Sequence, residues 1–190
     1  MLSTTVTATL LASLAVAAPA KRQDEHPYSI EWRANLKGYL GDVATPDPNN
    51  IRGTHENGNV LGIAVSPNQQ GNAMFRRIRT SFALSPSKPG PIRSLKNHST
   101  DDKGPEHCLD GTSNPQNGAV PHFWDCYEGL DVQQWQVRPD GLIELAGTGL
   151  CLDYKDGKPT PDQLKGEDQA TIQLWACDPN NTNQQWNVQQ

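Results

Sequence analysis

The sequence predicts an all-β domain with frequent turns, and three observations carry that expectation. Only 35% of the 190 residues are hydrophobic, while 16 glycines and 15 prolines punctuate the chain, a composition that favours short strands over a helical bundle. Two distant stretches share a layout of rare residues. Trp124 precedes Cys126 by two positions, Gln133 follows that cysteine by seven and Trp135 by nine; Trp175, Cys177, Gln184 and Trp186 repeat the spacing. Matched spacing of rare residues marks an internal repeat. Finally, the apolar runs are short and bounded by Gly, Pro, Asn or Asp, as strands between turns are.

The chain has the length of one domain, enough to bury a core after loss of a leader. Residues 1–20 carry no charged side chain, hold an apolar run from Leu10 to Ala18, and include Ala15-Val16-Ala17, a small-x-small cleavage pattern. This reads as a secretory signal peptide over residues 1–17, with cleavage extending at most to residue 20; the run is too short for a membrane span. Residues 18–22 read as a short propeptide ending in Lys21-Arg22, a dibasic pair that looks like a fungal-type processing site. Its removal takes away two of 16 basic residues and none of the 21 acidic ones, moving the formal net charge from −5 to −7. Such a chain is poorly suited to phosphate backbones, so nucleic acid is not an expected partner.

Cys108, Cys126, Cys151 and Cys177 form an even set in a chain expected to be secreted, which argues for disulfides. Four cysteines allow three connectivities. The repeat places one pair in each copy, giving Cys108 with Cys126 and Cys151 with Cys177, each bond stabilising by about 3 kcal/mol on the chain-entropy account. No Cys-x-x-Cys occurs and the five histidines are scattered, so neither a metal site nor any other cofactor is expected.

Residues 23–49, with Pro27, Pro46, Pro48 and a mixed segment around Trp32, fit either a pair of extra strands docked on the domain or an N-terminal arm. From residue 50 a repeat with four short strands can be laid out. In the last copy, residues 140–190, the strands are 142–145, 150–154, 172–175 and 185–188. In the middle copy, residues 89–139, they are 91–94, 107–110, 122–124 and 134–137. A fainter first copy, residues 50–88, runs through 50–52, 60–64, 73–75 and 81–84, with Phe82 where the other copies carry Trp135 and Trp186. Three units of four strands, none able to bury its apolar face alone, predict a closed threefold assembly with one inward aromatic per unit, a β-trefoil. Each Trp of the Gln-x-Trp step is then structural, worth about 3 to 5 kcal/mol against truncation to Ala.

The Cys-Leu-Asp steps at Cys108-Leu109-Asp110 and Cys151-Leu152-Asp153, Gln-Leu-Trp-x-Cys over Gln173, Leu174, Trp175 and Cys177, and Gln-x-Trp at Gln133 to Trp135 and Gln184 to Trp186 resemble the ricin B-type lectin domain. The resemblance covers about residues 50–190 and is carried by the last two copies. It implies a β-trefoil that binds carbohydrate, of the galactose, N-acetylgalactosamine or xylan type. Its sugar-contact pattern falls on Asp153, Trp175, Asn183 and Gln184, with Gln173 as a lesser member.

The residue chemistry fits that assignment. Adjacent sugar hydroxyls need fixed acceptors and donors, which a carboxylate and side-chain amides supply, and the apolar ring face needs a flat aromatic partner. In the middle copy Asp110, Trp124 and Gln133 match but Val132 takes the Asn position and His122 the first Gln position, so a second site is weaker there; Tyr127 is placed to compensate in part. In the first copy Gly62, Arg79 and Thr80 stand at the Asp, Asn and Gln positions, and no sugar site is expected. One shallow site implies a dissociation constant from roughly millimolar to tens of micromolar.

Two sequons, Asn97-His98-Ser99 and Asn180-Asn181-Thr182, offer glycosylation sites, the second beside the expected pocket. No carboxylate pair or Ser/His/Asp set stands out by spacing, so an enzyme is not expected. The expected partners are glycans or glycoproteins outside the cell, with no membrane span. The alternative reading is a secreted β-trefoil that has lost sugar binding and acts as a protease inhibitor or host-interaction protein through loops 95–107 and 159–169.

Overall fold

The computed structural model describes residues 27–34, 38–43, 45–47, 50–54, 56–65, 78–79, 81–95, 105–157 and 172–190. The expected leader, the dibasic pair, the strand at 73–75, the sequon at Asn97, most of loop 95–107 and the loop at 159–169 lie outside these residues. The strands are β1 (Ser29–Trp32), β2 (Gly38–Val43), β3 (Thr45–Asp47), β4 (Asn50–Thr54), β5 (Asn59–Val65), β6 (Ile78–Arg79), β7 (Phe82–Ala83), β8 (Arg93–Ser94), β9 (Cys108–Asp110), β10 (His122–Trp124), β11 (Trp135–Val137), β12 (Ile143–Leu145), β13 (Leu150–Tyr154), β14 (Ile172–Ala176) and β15 (Trp186–Gln189). The fold is an all-β trefoil, without α-helix among the described residues.

Pairing defines the three repeats. In each, the second and third strands form an antiparallel hairpin, namely β2 with β5, β9 with β10 and β13 with β14. The fourth strand of each repeat pairs with the first strand of the next: β7 with β8, β11 with β12 and, closing the ring, β15 with β1. Threefold equivalence is sharpest where each repeat begins. Phe82 exchanges backbone bonds with Tyr28, Trp135 exchanges them with Gly90, and the Trp186 amide donates to the Gly141 carbonyl at 2.8 Å. Phe82 does therefore occupy the position of the two Gln-x-Trp tryptophans.

This pairing corrects the expected layout of the first repeat. Its opening strand is β1, not 50–52, and its second strand is β2, not 60–64, so of the two readings of residues 23–49, extra strands or an arm, β1 and β2 match the strands, as the first two strands of the repeat itself. Residues 60–64 lie in β5, the third strand, and residues 50–52 lie in β4, which pairs with β3 in a separate two-stranded hairpin. That hairpin is inserted between the second and third strands of the repeat, and its own apolar residue, Ile51, mimics a first strand in the sequence.

The core follows from strand alternation. Along β13, Leu152 faces inward opposite Leu174 of β14, while in the second repeat Leu109 faces Phe123 across the β9–β10 pair; all four are fully buried. Trp135 and Trp186 are each 1% exposed, and each indole Nε1 donates to the carbonyl of the Leu in its own Cys-Leu-Asp step, Leu109 at 2.8 Å and Leu152 at 3.0 Å. A buried indole needs such a partner, and here the bond ties the fourth strand to the second. Tyr154 meets Trp32 edge-on with ring centroids 4.7 Å apart, joining the third repeat to the first.

The two disulfides form as expected. Cys108 bonds Cys126 and Cys151 bonds Cys177, with Cα separations of 4.9 and 5.0 Å. Each fastens the second strand of a repeat to the turn that follows its third strand.

Candidate functional site

The outer face of the last hairpin collects the residues that the sequence singles out. In the antiparallel register, Asp153 stands opposite Gln173 and Cys151 opposite Trp175. Cross-strand partners and residues two apart share a face, so Asp153, Gln173 and Trp175 project together, away from Leu152 and Leu174. Trp175 is 43% exposed, an unusual display for so large an apolar ring.

Asp153 is only 3% exposed, and three amides hold its carboxylate. Gln173 Nε2 donates to Oδ1 at 2.9 Å; Asn181 Nδ2 and Gln184 Nε2 donate to Oδ2 at 2.9 and 3.2 Å. A buried carboxylate requires such donors. With about two acceptor positions per oxygen, Oδ1 keeps one position beyond its Gln173 bond.

Gln184 is fully buried and its side chain is used up within the protein. Besides Asp153 its Nε2 donates to the Ala176 carbonyl at 3.0 Å, and its Oε1 accepts from the Asp178 amide at 2.8 Å. It is a clamp between strand β13 and the turn after the disulfide. Asn183 lies on a short 3-10 turn, Thr182–Gln184. Its side-chain oxygen packs so closely on Gly157 that a Cβ there would displace it, and Gly157 also holds φ +56°, a conformation that favours glycine.

Asn181 was not among the residues picked from the sequence. It caps the 3-10 turn, accepting from the Asn183 amide at 3.0 Å, and sends its own amide to Asp153. Its place next to the sequon asparagine masked it as part of a polar turn. Asn180 itself is exposed, with its backbone N–H donating to Asp178 Oδ1 at 2.8 Å.

The second repeat keeps the clamp and loses part of the rest. Asp110 stands opposite His122 and Cys108 opposite Trp124. Gln133, fully buried, donates to Asp110 Oδ2 at 3.1 Å and to the Asp125 carbonyl at 2.9 Å, and accepts from the Tyr127 amide at 2.9 Å, matching Gln184 bond for bond. Leu130 takes the capping position of Asn181 and makes no side-chain cap. The free Asp110 oxygen is met instead by the amide of Thr112 at 2.8 Å, a non-glycine residue at φ 74°, a conformation that strains a β-branched side chain. Trp124 is 39% exposed and its ring meets that of His122 edge-on at 5.6 Å. Tyr127 is exposed at the turn.

In the first repeat the β2–β5 register puts Leu40 opposite Ile63 and Gly41 opposite Gly62. The equivalents of Asp153, Gln173 and Trp175 are thus Gly41, Gly62 and Ala64. The position expected to match the carboxylate, Gly62, is the position across from it, and none of the three equivalent positions carries a carboxylate or an aromatic ring.

A further contact links neighbouring repeats. Asn57-Gly58 of the first repeat docks on the third strand of the second: Gly58 N–H donates to the Phe123 carbonyl at 2.8 Å and Asn57 Oδ1 accepts from the Asp125 amide at 2.7 Å. Asn117-Gly118 of the second repeat does the same to the third, with Gly118 donating to Leu174 at 2.8 Å and Asn117 accepting from Ala176 at 2.7 Å. Both glycines have positive φ, +92° and +84°. Each turn therefore flanks the exposed Trp of the following repeat. The sequence does carry a trace of it, in Asn57-Gly58-Asn59-Val60 against Asn117-Gly118-Ala119-Val120.

With this geometry in view, the likeness to known proteins falls into place. Residues 98–190 match the family described as the ricin-type beta-trefoil lectin domain. No curated protein matches the chain significantly. Among solved structures, the chain resembles a designed threefold symmetric protein, ThreeFoil, with a TM-score of 0.54 at 17% identity, covering 86% of this chain and 98% of that one. The mdaA-1 domain gives 0.53 at 16% identity, over 87% of this chain and 90% of that one. A mosquitocidal holotoxin gives 0.53 at 11% identity, over 87% of this chain, which spans only 17% of the holotoxin. These likenesses show the β-trefoil fold. The family match, over residues 98–190, points to a binding domain.

Proposed function

We propose that the chain is a secreted lectin that recognises galactose or N-acetylgalactosamine-type or xylan-type glycans, chiefly through its third repeat. The observation that carries the proposal is the pairing of a carboxylate held in place by three amides, Asp153, with an exposed indole, Trp175, on one face of one hairpin. The carboxylate is pre-ordered to accept a sugar hydroxyl at Oδ1, and the indole supplies a stacking surface for the apolar ring face.

Within this reading Gln184 contributes by holding Asp153, Gln173 flanks the open Oδ1 position, and Asn183 reaches the ligand from the 3-10 turn. Asp110, Trp124 and Gln133 form a weaker second site, since Leu130 and Val132 replace the amides of the third repeat. The two disulfides suit an oxidising compartment outside the cell. A glycan on exposed Asn180 would stand next to the site and limit the size of its ligands.

The test is a glycan array probed with the purified protein, with free sugar as competitor. Signal on galactose-, N-acetylgalactosamine- or xylose-terminated glycans, removed by the matching free sugar, supports the lectin. An array without sugar-inhibited signal overturns it, and inhibition in a protease panel would then establish the alternative trade of the scaffold.

A further inference from the structure

The two inter-repeat turns are alike in backbone but differ in one polar group. In the first, Asn57 is closed on itself: its Oδ1 accepts from the Asp125 amide and its Nδ2 donates to Asp125 Oδ2 at 2.9 Å. In the second, Asn117 Oδ1 accepts from the Ala176 amide at 2.7 Å, and alanine has no carboxylate to take the other end. The Asn117 amide thus makes no hydrogen bond among the described residues and stands in an exposed turn. It lies beside Trp175, since a Cβ on the adjacent Gly118 would sit 4.0 Å from the indole Cζ3. A donor fixed at its carbonyl end, with its two hydrogens unclaimed next to an exposed aromatic ring, is pre-oriented for an oxygen of a ligand that rests on that ring.

We propose that the third-repeat site extends across the repeat boundary and that Asn117 donates to a second sugar residue, so the site selects glycans of two or more residues over monosaccharides. This rests on the lectin reading above. Asp153 engages the sugar stacked on Trp175, while Asn117, at the edge of β14 opposite the one paired with β13, meets a hydroxyl or ring oxygen of the neighbouring sugar. The second repeat has no such extension because Asp125 occupies its Asn57.

The experiment compares affinities by calorimetry for galactose against lactose and for xylose against xylobiose, with wild type, Asn117→Asp and Ala176→Asp. The first variant keeps the oxygen that accepts from Ala176 and removes the donor; the second leaves Asn117 in place and offers it the carboxylate that Asp125 offers Asn57. Wild type is expected to favour the disaccharide, and that preference to fall about fivefold in each variant, the worth of one hydrogen bond. A disaccharide preference unchanged in both variants, or no preference in wild type, overturns the extension while leaving the lectin reading intact. Absence of binding to all four sugars by wild type, together with an array without sugar-inhibited signal, overturns both.

Discussion

Gln184 holds Asp153: its Nε2 donates to Oδ2 at 3.2 Å while the same side chain bonds the Ala176 carbonyl and the Asp178 amide. Gln133 repeats the arrangement on Asp110. The glutamine of each Gln-x-Trp step is therefore a buried joint between the second strand and the turn behind the disulfide, and the carboxylate it holds is the chemistry of the face.

Replacing that glutamine should cost stability before it costs anything else. Gln184→Ala removes three hydrogen bonds and leaves the Asp178 amide and part of the Asp153 carboxylate without their protein partners, a loss of about 2 to 4 kcal/mol. A lowered urea midpoint with an unchanged slope is the expected result, and Gln133→Ala should behave alike.

The two tryptophans of the third repeat should separate cleanly. Trp186 is 1% exposed and its indole is bonded to Leu152, so Trp186→Ala should destabilise by about 3 to 5 kcal/mol. Trp175 is displayed on the surface, and Trp175→Ala should change stability by no more than about 0.5 kcal/mol while removing sugar binding. Thermal melts alongside a binding assay read both quantities from the same samples.

The first strand offers a sharp test of the ring closure. Ser29–Trp32 pairs with the last strand, setting Trp32 opposite Trp186, and its indole Nε1 donates to the Thr182 carbonyl at 3.0 Å. Deleting residues 1–36 would expose the edge of β15 and uncover Tyr154 and Trp186, so the shortened chain should lose its cooperative melt. An independent arm would have left it intact.

How much of this was legible in the sequence depended on the side chains each repeat retained. The second and third repeats announce themselves because a disulfide and a buried indole demand fixed residues at fixed spacing. The first has neither cysteine, and its hairpin β3–β4 supplies an extra apolar pattern, so Ile51 passed for a first strand and the strand around Trp32 for an appendage. Within the site, Asp153, Gln173 and Trp175 were legible through the resemblance to the ricin B-type lectin domain, and strand alternation puts them on one face. Asn181 and Asn117 were not, since a polar turn residue gives no periodic signal and its contacts depend on how one segment docks on another.

Burial makes Tyr154 a reporter of alkaline unfolding. Loss of solvent pushes its phenol up to about 12 from the ordinary value of 10.0. The folded state thus holds the proton more tightly than the unfolded chain. The stabilisation is fully present below pH 10 and is lost as pH rises toward 12. Tyr154→Phe, which keeps the ring against Trp32, should flatten the fall in stability over that range when melts are followed from pH 9 to 12.

The most direct measurement is a calorimetric titration of glycan-array hits into wild type, Trp175→Ala and Asp153→Ala, with each variant's fold verified by near-UV circular dichroism. Wild type should bind with a dissociation constant between roughly millimolar and tens of micromolar. Both variants should weaken binding at least about tenfold, the loss of a stacked ring or of a charge-assisted bond. Folded variants that bind as tightly as wild type would contradict the placement of the site on Asp153 and Trp175.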